Sequence, residues 1–160
     1  TLIFQDSAVA ESFFVSLCLD QLTHFKTESM IFMEPSAKHT QLQTFLTNRH
    51  AYLMQGDREA MHQLLSDDFS FIDGQGRQFD AETYLDHYVD LDQIKWINQT
   101  NESVVVEVFE TTALVQELLE VTFSYGQTSY VGRFRSVSLY HWTPDGWKWH
   151  FTQLTPLDPS

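Results

Sequence analysis

Asp73 and Gln153 are the residues whose surroundings in the sequence point most directly to chemistry. Gln153 follows a run of tryptophans, and an amide among large aromatic side chains needs a hydrogen-bond partner or a water molecule. Asp73 ends a strand-like segment and shares a face with Phe69 and Phe71, where a carboxylate could act as a general base. It also precedes Gly74, a common arrangement in Asx turns, so a purely structural role stays open.

Tyrosine hydroxyls are further candidate hydrogen-bond donors, and Tyr52, Tyr84 and Tyr140 lie in segments with regularly spaced apolar residues. Such a tyrosine is also an ordinary core residue with its hydroxyl at the rim. The seven histidines show no HxxxH, HxH or HxxE spacing, so no metal site is predicted. The GxG at residues 74–76 lacks a third glycine and a following helix. No cofactor is therefore predicted.

Composition and charge restrict the class of protein and the partners. The chain has 160 residues, of which 42% are hydrophobic, enough for one globular domain with a core. Nine basic residues against 22 acidic ones give a net charge of −13, which disfavours nucleic acid and anionic membranes as partners. No apolar run is long enough to span a bilayer. A single cysteine, Cys18, suits a reducing compartment, and we predict a cytoplasmic protein.

The pattern along the chain divides it into an extension and a main domain. Residues 1–34 form the extension, in which the segment 8–25 has apolar residues at helical spacing. Residues 35–39 have the composition of a linker, and Pro35 disfavours a helix just before it. The main domain is predicted to comprise residues 40–160.

Helices are predicted first in the main domain, and strands follow them. One helix should run from Thr40 to Gly56, and Asp57 and Asp80 should each cap a shorter helix. Strand-like segments, rich in β-branched and aromatic residues, follow with turn residues between them. They comprise residues 69–73, 94–98, 103–109, 113–125, 129–142 and 147–155. Helices followed by a run of antiparallel strands predict an α+β fold.

Two segments carry a family resemblance: LLSDDFSFIDGQGRQFDAETYL, and DGWKWHFTQLTP near the end of the chain. With the helix order before them, they make residues 40–157 resemble the DUF4440 branch of the NTF2-like (SnoaL-like) superfamily. The resemblance implies a cone in which a curved antiparallel sheet has the N-terminal helices packed across its concave face, enclosing a deep cavity. It also implies a homodimer.

The resemblance further suggests which side chains face the cavity. Alternation in the last strand puts Trp147, Trp149, Phe151 and Gln153 on the cavity side and Thr152 on the other, although one β-bulge would reverse this order. Related cavities commonly hold an arginine where Ser138 stands, so the resemblance argues against an internal arginine. The predicted ligand pocket comprises Tyr52, Phe71, Tyr84, Trp96, Phe123, Tyr140, Phe151 and Gln153.

Three functions agree with this pattern. The first is a small-molecule binding domain whose cavity holds an apolar or aromatic ligand. The second is a cofactor-free isomerase, dehydratase or cyclase, similar to ketosteroid isomerase or SnoaL, with Asp73 as the base. The third is an oligomerisation scaffold, suggested by similarity to the association domain of calcium/calmodulin-dependent kinase. Because no Asp and His are paired at a recognisable catalytic spacing, the sequence favours binding over catalysis.

Overall fold

The computed structural model describes residues 37–90, 92 and 94–157. The predicted extension, residues 1–34, lies outside the described residues. The first described helix, α1, is Ala37–Gln55, so the last part of the predicted linker is helical. Alanine and lysine at its start are good helix formers, which explains the earlier beginning. No described helix is both long enough and apolar enough to cross a membrane.

Local chemistry sets the boundaries of the helices. After α1, Gly56 adopts a positive φ of 66°, as expected of a residue just past a helix end. The Asp57 carboxylate accepts a hydrogen bond from the backbone N–H of Ala60 at 3.0 Å and caps helix α2, Arg58–Leu64. The caps predicted from the sequence are thus confirmed here.

A third helix changes its type along its length. Asp80 and Thr83 form a reciprocal capping box at the start of α3, Ala81–Tyr84. The chain then continues as a π-helical segment, Leu85–Val89. The wider turn stacks the rings of Tyr84 and Tyr88 at 5.4 Å between centroids. These two tyrosines therefore present adjacent faces towards the sheet.

A curved six-stranded sheet forms the rest of the fold, in the order β2-β1-β6-β5-β4-β3. The strand β1 pairs parallel with β6, whereas every other neighbouring pair is antiparallel. The predicted α+β fold is confirmed, and the prediction of a purely antiparallel sheet is wrong for that one pair. The strands are β1 Leu65–Ile72, β2 Gln78–Phe79, β3 Ile94–Val108, β4 Thr112–Tyr125, β5 Thr128–Thr143 and β6 Gly146–Pro156.

The strand β3 is continuous where the sequence predicted two strands. Residues 99–102 are polar and were predicted to form a break, yet they pair with residues 118–121 of β4. The register shifts between Trp96 and Asn98 and between Glu102 and Val105, and Ser103 takes a positive φ of 49°. Because β3 is the edge strand, exposed polar side chains are compatible with its pairing.

A β-bulge in β6 reverses the side-chain alternation in its second half. Tyr140 pairs with Trp149 and Leu139 pairs with Phe151, so His150 is an extra residue without a pairing position. Trp149 and Thr152 consequently share the concave side of the sheet. Phe151 lies on the convex side with Gln153, and the predicted faces beyond the bulge are wrong.

The hydrophobic core lies between helix α1 and the concave face of the sheet. Leu42 and Phe45 of α1 are buried there, and the Phe45 ring meets the edge of Tyr140 at 5.6 Å. The indole of Trp147 donates a hydrogen bond to the Lys38 carbonyl at 2.9 Å, joining β6 to the start of α1. Burial of this apolar face holds α1 across the mouth of the curved sheet.

Candidate ligand-binding cavity

A cavity of about 400 Å³ lies on the concave side of the sheet. It passes from a buried floor formed by polar residues to an outer rim of half-buried aromatic residues. The size and the mixed lining are typical of small-molecule sites. The lining residues are Arg49, Leu53, Phe71, Asp73, Gly74, Gln75, Arg77, Tyr84, Tyr88, Trp96, Gln99, Glu117, Leu119, Val121, Phe123, Phe134, Ser136, Ser138, Trp149, Thr152, Leu154 and Pro156.

A buried ion pair forms the floor. Arg49 Nη2 lies 3.3 Å from Glu117 Oε2, and both side chains are more than nine-tenths buried. Arg49 Nη1 also donates a hydrogen bond to the Tyr140 hydroxyl. The guanidinium lies over the Trp149 ring, 4.8 Å from its centroid. Because a guanidinium has five N–H donors, these two hydrogen bonds do not exhaust its capacity.

Neighbouring polar groups hold the Glu117 carboxylate in place. Asn101 Nδ2 donates to Glu117 Oε1 at 2.7 Å, and Ser136 Oγ donates to Glu117 Oε2 at 3.4 Å. Next to them, the hydroxyls of Ser138 and Thr152 share a hydrogen bond of 2.5 Å. The floor is therefore a connected polar network inside an otherwise apolar enclosure.

The electrostatics of the floor keep Arg49 charged and the neighbouring Tyr140 and Tyr84 protonated. Burial alone would lower the pKa of Arg49, but the interactions with Tyr140 and Glu117 outweigh that effect. The pKa of Arg49 is therefore above its usual value. Desolvation raises the pKa of Tyr140 to about 12 and also holds the pKa of Tyr84 above its usual range. At neutral pH both tyrosines keep their protons.

The sequence analysis missed both members of the ion pair. Arg49 lies on the apolar face of α1, four residues after Phe45 and four before Leu53. Glu117 continues the apolar alternation of β4 between Val115 and Leu119. Two opposite charges at core positions were a usable signal. The argument from Ser138 against an internal arginine was wrong, because the arginine comes from a helix.

Asp73 lines the rim of the cavity, and its carboxylate is fully engaged. Oδ1 accepts hydrogen bonds from the backbone N–H groups of Gln75 and Arg77, at 2.8 and 2.9 Å. Oδ2 accepts from Arg77 Nε at 2.7 Å and from the Tyr88 hydroxyl at 3.3 Å. Burial alone raises the pKa of Asp73, but the hydrogen bonds from Arg77 and Gln75 outweigh it and hold the pKa below its ordinary value. Asp73 is therefore a weak base with a structural role in the turn.

Replacing Asp73 with asparagine should destabilise the fold by about 1–3 kcal/mol at pH 7, because the charged hydrogen bonds to Arg77 are lost. An aspartate with a lowered native pKa stabilises the fold above its unfolded pKa and loses this effect as the pH falls through the native pKa. The difference between wild type and Asp73→Asn should thus shrink below about pH 4. Urea unfolding across this pH range measures it. A constant difference, or one equal to that of the exposed control Asp67→Asn, would contradict the assignment.

Four of the eight residues that the sequence predicted for the pocket line the cavity, and the other four do not. Phe71, Tyr84, Trp96 and Phe123 line the cavity. Tyr140 is buried and bonds to Arg49, behind the floor. Like Tyr140, three further residues do not line the cavity: Tyr52 packs against the core from α1, and Phe151 and Gln153 lie on the convex side beyond the bulge.

Metal ligation is not indicated in the part of the chain that the structure describes. No three or more His, Cys, Asp or Glu side chains cluster there in a way that could hold an ion.

Comparison with known proteins identifies a family and several structural relatives. A family model described as a SnoaL-like domain matches residues 42–156. A solved structure from Exiguobacterium sibiricum 255-15, provisionally assigned as a Ca/calmodulin-dependent kinase II association domain, is 80% identical. That match covers 80% of this chain and 99% of the other, with a TM-score of 0.77.

More distant structures share the fold. An NTF2-like protein from Cytophaga hutchinsonii is 18% identical, with 75% of this chain and 98% of that chain covered and a TM-score of 0.69. A ketosteroid isomerase-like protein from Erwinia carotovora atroseptica is 13% identical, with 80% and 100% covered and a TM-score of 0.62. No curated protein matches the chain.

Proposed function

Because the chain belongs to the SnoaL-like family of the NTF2-like superfamily, whose folds commonly enclose a cavity, we propose that its cavity binds a neutral, largely apolar small molecule. One polar group of this ligand would reach the floor at Arg49 and Glu117. The observation that carries the proposal is an apolar, aromatic-walled cavity that ends on a buried ion pair with hydrogen-bonding capacity left. An apolar wall with a few fixed polar groups is the usual composition of a ligand site.

The balance of charge on the floor supports a neutral ligand. The carboxylate of Glu117 compensates the guanidinium of Arg49 at 3.3 Å, so the floor presents no net charge. An ionised ligand would lose its hydration shell on entry without gaining an opposite charge. A hydroxyl, carbonyl or amide could instead exchange hydrogen bonds with the guanidinium or with the serine hydroxyls beside it.

The chemistry of the lining favours binding over catalysis. Among the described residues that line the cavity, the carboxylates are those of Asp73 and Glu117, and both are held by hydrogen bonds to charged partners. A general base needs a pKa near the working pH and access to its substrate. Asp73 has a lowered pKa, so the isomerase, dehydratase or cyclase alternative has the weaker support.

A second candidate function is assembly with further copies of this chain. The 80% identical structure was assigned to an association domain. The convex face of the sheet also carries apolar residues with substantial exposure: Val105 is 49%, Val131 72% and Val137 36% exposed. A homodimer that packs these faces together would bury them. Assembly and ligand binding use opposite faces of the sheet and are compatible.

Native mass spectrometry of the protein as purified, followed by mild denaturation, tests both functions. We expect a dimer that carries a discrete neutral molecule of low mass. An empty protein that also fails to bind N-phenyl-1-naphthylamine, a neutral apolar fluorescent probe, would contradict the binding proposal. The variant Gln153→Leu is a control, since Gln153 is exposed on the convex side and its replacement should leave probe affinity unchanged.

A further inference from the structure

We propose that Phe134 sets the length of ligand that the cavity accepts, because its ring closes the outer end of the cavity and fits there between two glycines. This inference rests on the proposed function and adds the residue that limits ligand size. The contacts of Gly74 and Gly132 with the ring carry it.

Gly132 and Gly74 border the two edges of the Phe134 ring. A Cβ at Gly132 would lie 2.6 Å from Cε2 and 2.9 Å from Cζ of Phe134. A Cβ at Gly74, in the turn between β1 and β2, would lie 2.8 Å from Cε1 on the other edge. All three distances are too short for a real methyl group. The ring thus occupies a slot that exists only because both residues lack a side chain.

Backbone conformation does not require glycine at either position. The glycines with positive φ in the described residues are Gly56, Gly76, Gly126 and Gly146. Gly74 and Gly132 are absent from this group, so an L-residue could adopt their backbone angles. The space taken by the Phe134 ring is therefore the physical reason for glycine at these two sites.

Burial along the cavity places Phe134 at its outer end. The floor residues Arg49, Glu117 and Ser136 are buried, whereas Gln75 and Arg77, in the turn beside Gly74, are exposed. Phe134 is half-buried between these two ends and lines the cavity. A ligand that binds to the floor must extend towards this ring, and a longer ligand must displace it.

Substitutions at Phe134 and at Gly132 should change the length of the cavity in opposite directions. Phe134→Ala removes the ring and lengthens the cavity towards solvent. Gly132→Ala forces the Phe134 ring out of the slot. Because the ring lies on the concave side of the sheet, it can move only into the cavity. The first variant should accept longer ligands, and the second should reject ligands that the wild type accepts.

Straight-chain primary alcohols from hexanol to dodecanol test this inference, since each has one hydroxyl and a graded apolar length. Their affinities are measured by displacement of N-phenyl-1-naphthylamine. Phe134→Ala should gain roughly tenfold in affinity for the longest alcohols relative to the shortest, because two or more additional methylenes leave water. Gly132→Ala should change the preference in the opposite direction. The control Arg135→Ala, an exposed site on the convex face of the same strand, should keep the wild-type profile.

A double-mutant cycle in thermal unfolding tests the slot without a ligand. Gly132→Ala should lower the melting temperature in the wild-type background, and it should be neutral or stabilising in the Phe134→Ala background. An equal change in melting temperature in both backgrounds would show that Gly132 does not make room for the Phe134 ring, and the inference would be overturned.

The outcomes separate this inference from the proposed function. If wild type binds the alcohols but Phe134→Ala keeps the same length preference, the role of Phe134 is overturned and the binding function stands. If neither wild type nor Phe134→Ala binds the probe or any alcohol, both are overturned. If only Phe134→Ala binds, the ring closes the wild-type cavity, and both the binding function and the role of Phe134 in limiting ligand length are overturned.

Discussion

Replacement of Glu117 with glutamine should lower the free energy of unfolding by about 3–5 kcal/mol, because Arg49 would keep its charge in a buried site with no counter-charge. The pKa of Arg49 lies above its ordinary value, so the guanidinium cannot escape the cost by losing its proton. Asn101 and Ser136 both donate hydrogen bonds to the Glu117 carboxylate. A neutral glutamine amide would accept both of these hydrogen bonds more weakly.

Urea unfolding of Glu117→Gln and of a double variant, Arg49→Met with Glu117→Leu, measures this effect. The double variant should recover most of the stability, because an apolar pair of similar volume removes both desolvation costs. Glu120→Gln is the matched control on the same strand: its carboxylate is exposed, 3.8 Å from Arg133 on the convex face, and the change should cost less than about 1 kcal/mol. Similar losses in the free energy of unfolding for Glu117→Gln and Glu120→Gln would contradict the prediction. They would show that Arg49 without its counter-charge carries no large desolvation cost.

The same comparison bears on why the floor is polar. An apolar floor could support the fold equally well, so the ion pair contributes little net stability. Its value would lie in the hydrogen bonds that it offers to a ligand inside an apolar wall. On this reasoning the double variant should fold like wild type and bind a ligand with one polar group more weakly.

Local chemistry made the helices and the turns predictable from the sequence. Asp57 and Asp80 cap the helices that they were predicted to cap, since a cap depends on residues only a few positions away. The superfamily predicted from two short segments was confirmed by the match over residues 42–156. The fold was therefore predictable in outline, including the helices across the concave face of the sheet.

The faces of β6 were predicted correctly for Trp147 and Trp149 but not beyond His150, because the bulge has no local sequence signal here. His150 is inserted opposite the step from Leu139 to Tyr140, and this single residue moves Thr152 to the cavity and Gln153 to the convex side. The floor was missed for a different reason. Arg49 and Glu117 lie far apart in the chain, and only the folded structure shows that a side chain of α1 meets one of β4.

Filling the cavity should abolish ligand binding and leave the fold intact. Val121 lies on the concave side of β4, is buried and lines the cavity, so a tryptophan there would occupy the space between floor and rim. We expect Val121→Trp to weaken the binding of N-phenyl-1-naphthylamine by roughly 100-fold or more, equivalent to about 2.7 kcal/mol. Filling an apolar cavity also adds contacts, so the free energy of unfolding should be unchanged or raised by up to about 2 kcal/mol.

The adjacent residue provides the control for this prediction. Thr122 points to the convex side of the same strand, where its partner in the neighbouring strand is Val131, so Thr122→Trp adds the same ring outside the cavity. Fluorescence titration should give wild-type affinity for Thr122→Trp and no measurable binding for Val121→Trp, with urea unfolding showing that both fold. Equal affinity in the two variants would mean that the probe binds elsewhere, and the cavity would then lose its claim as the ligand site. Loss of binding that accompanies a large loss of stability in Val121→Trp would instead show that the cavity is too narrow for a ligand of this size, because the added ring would have had to displace the wall.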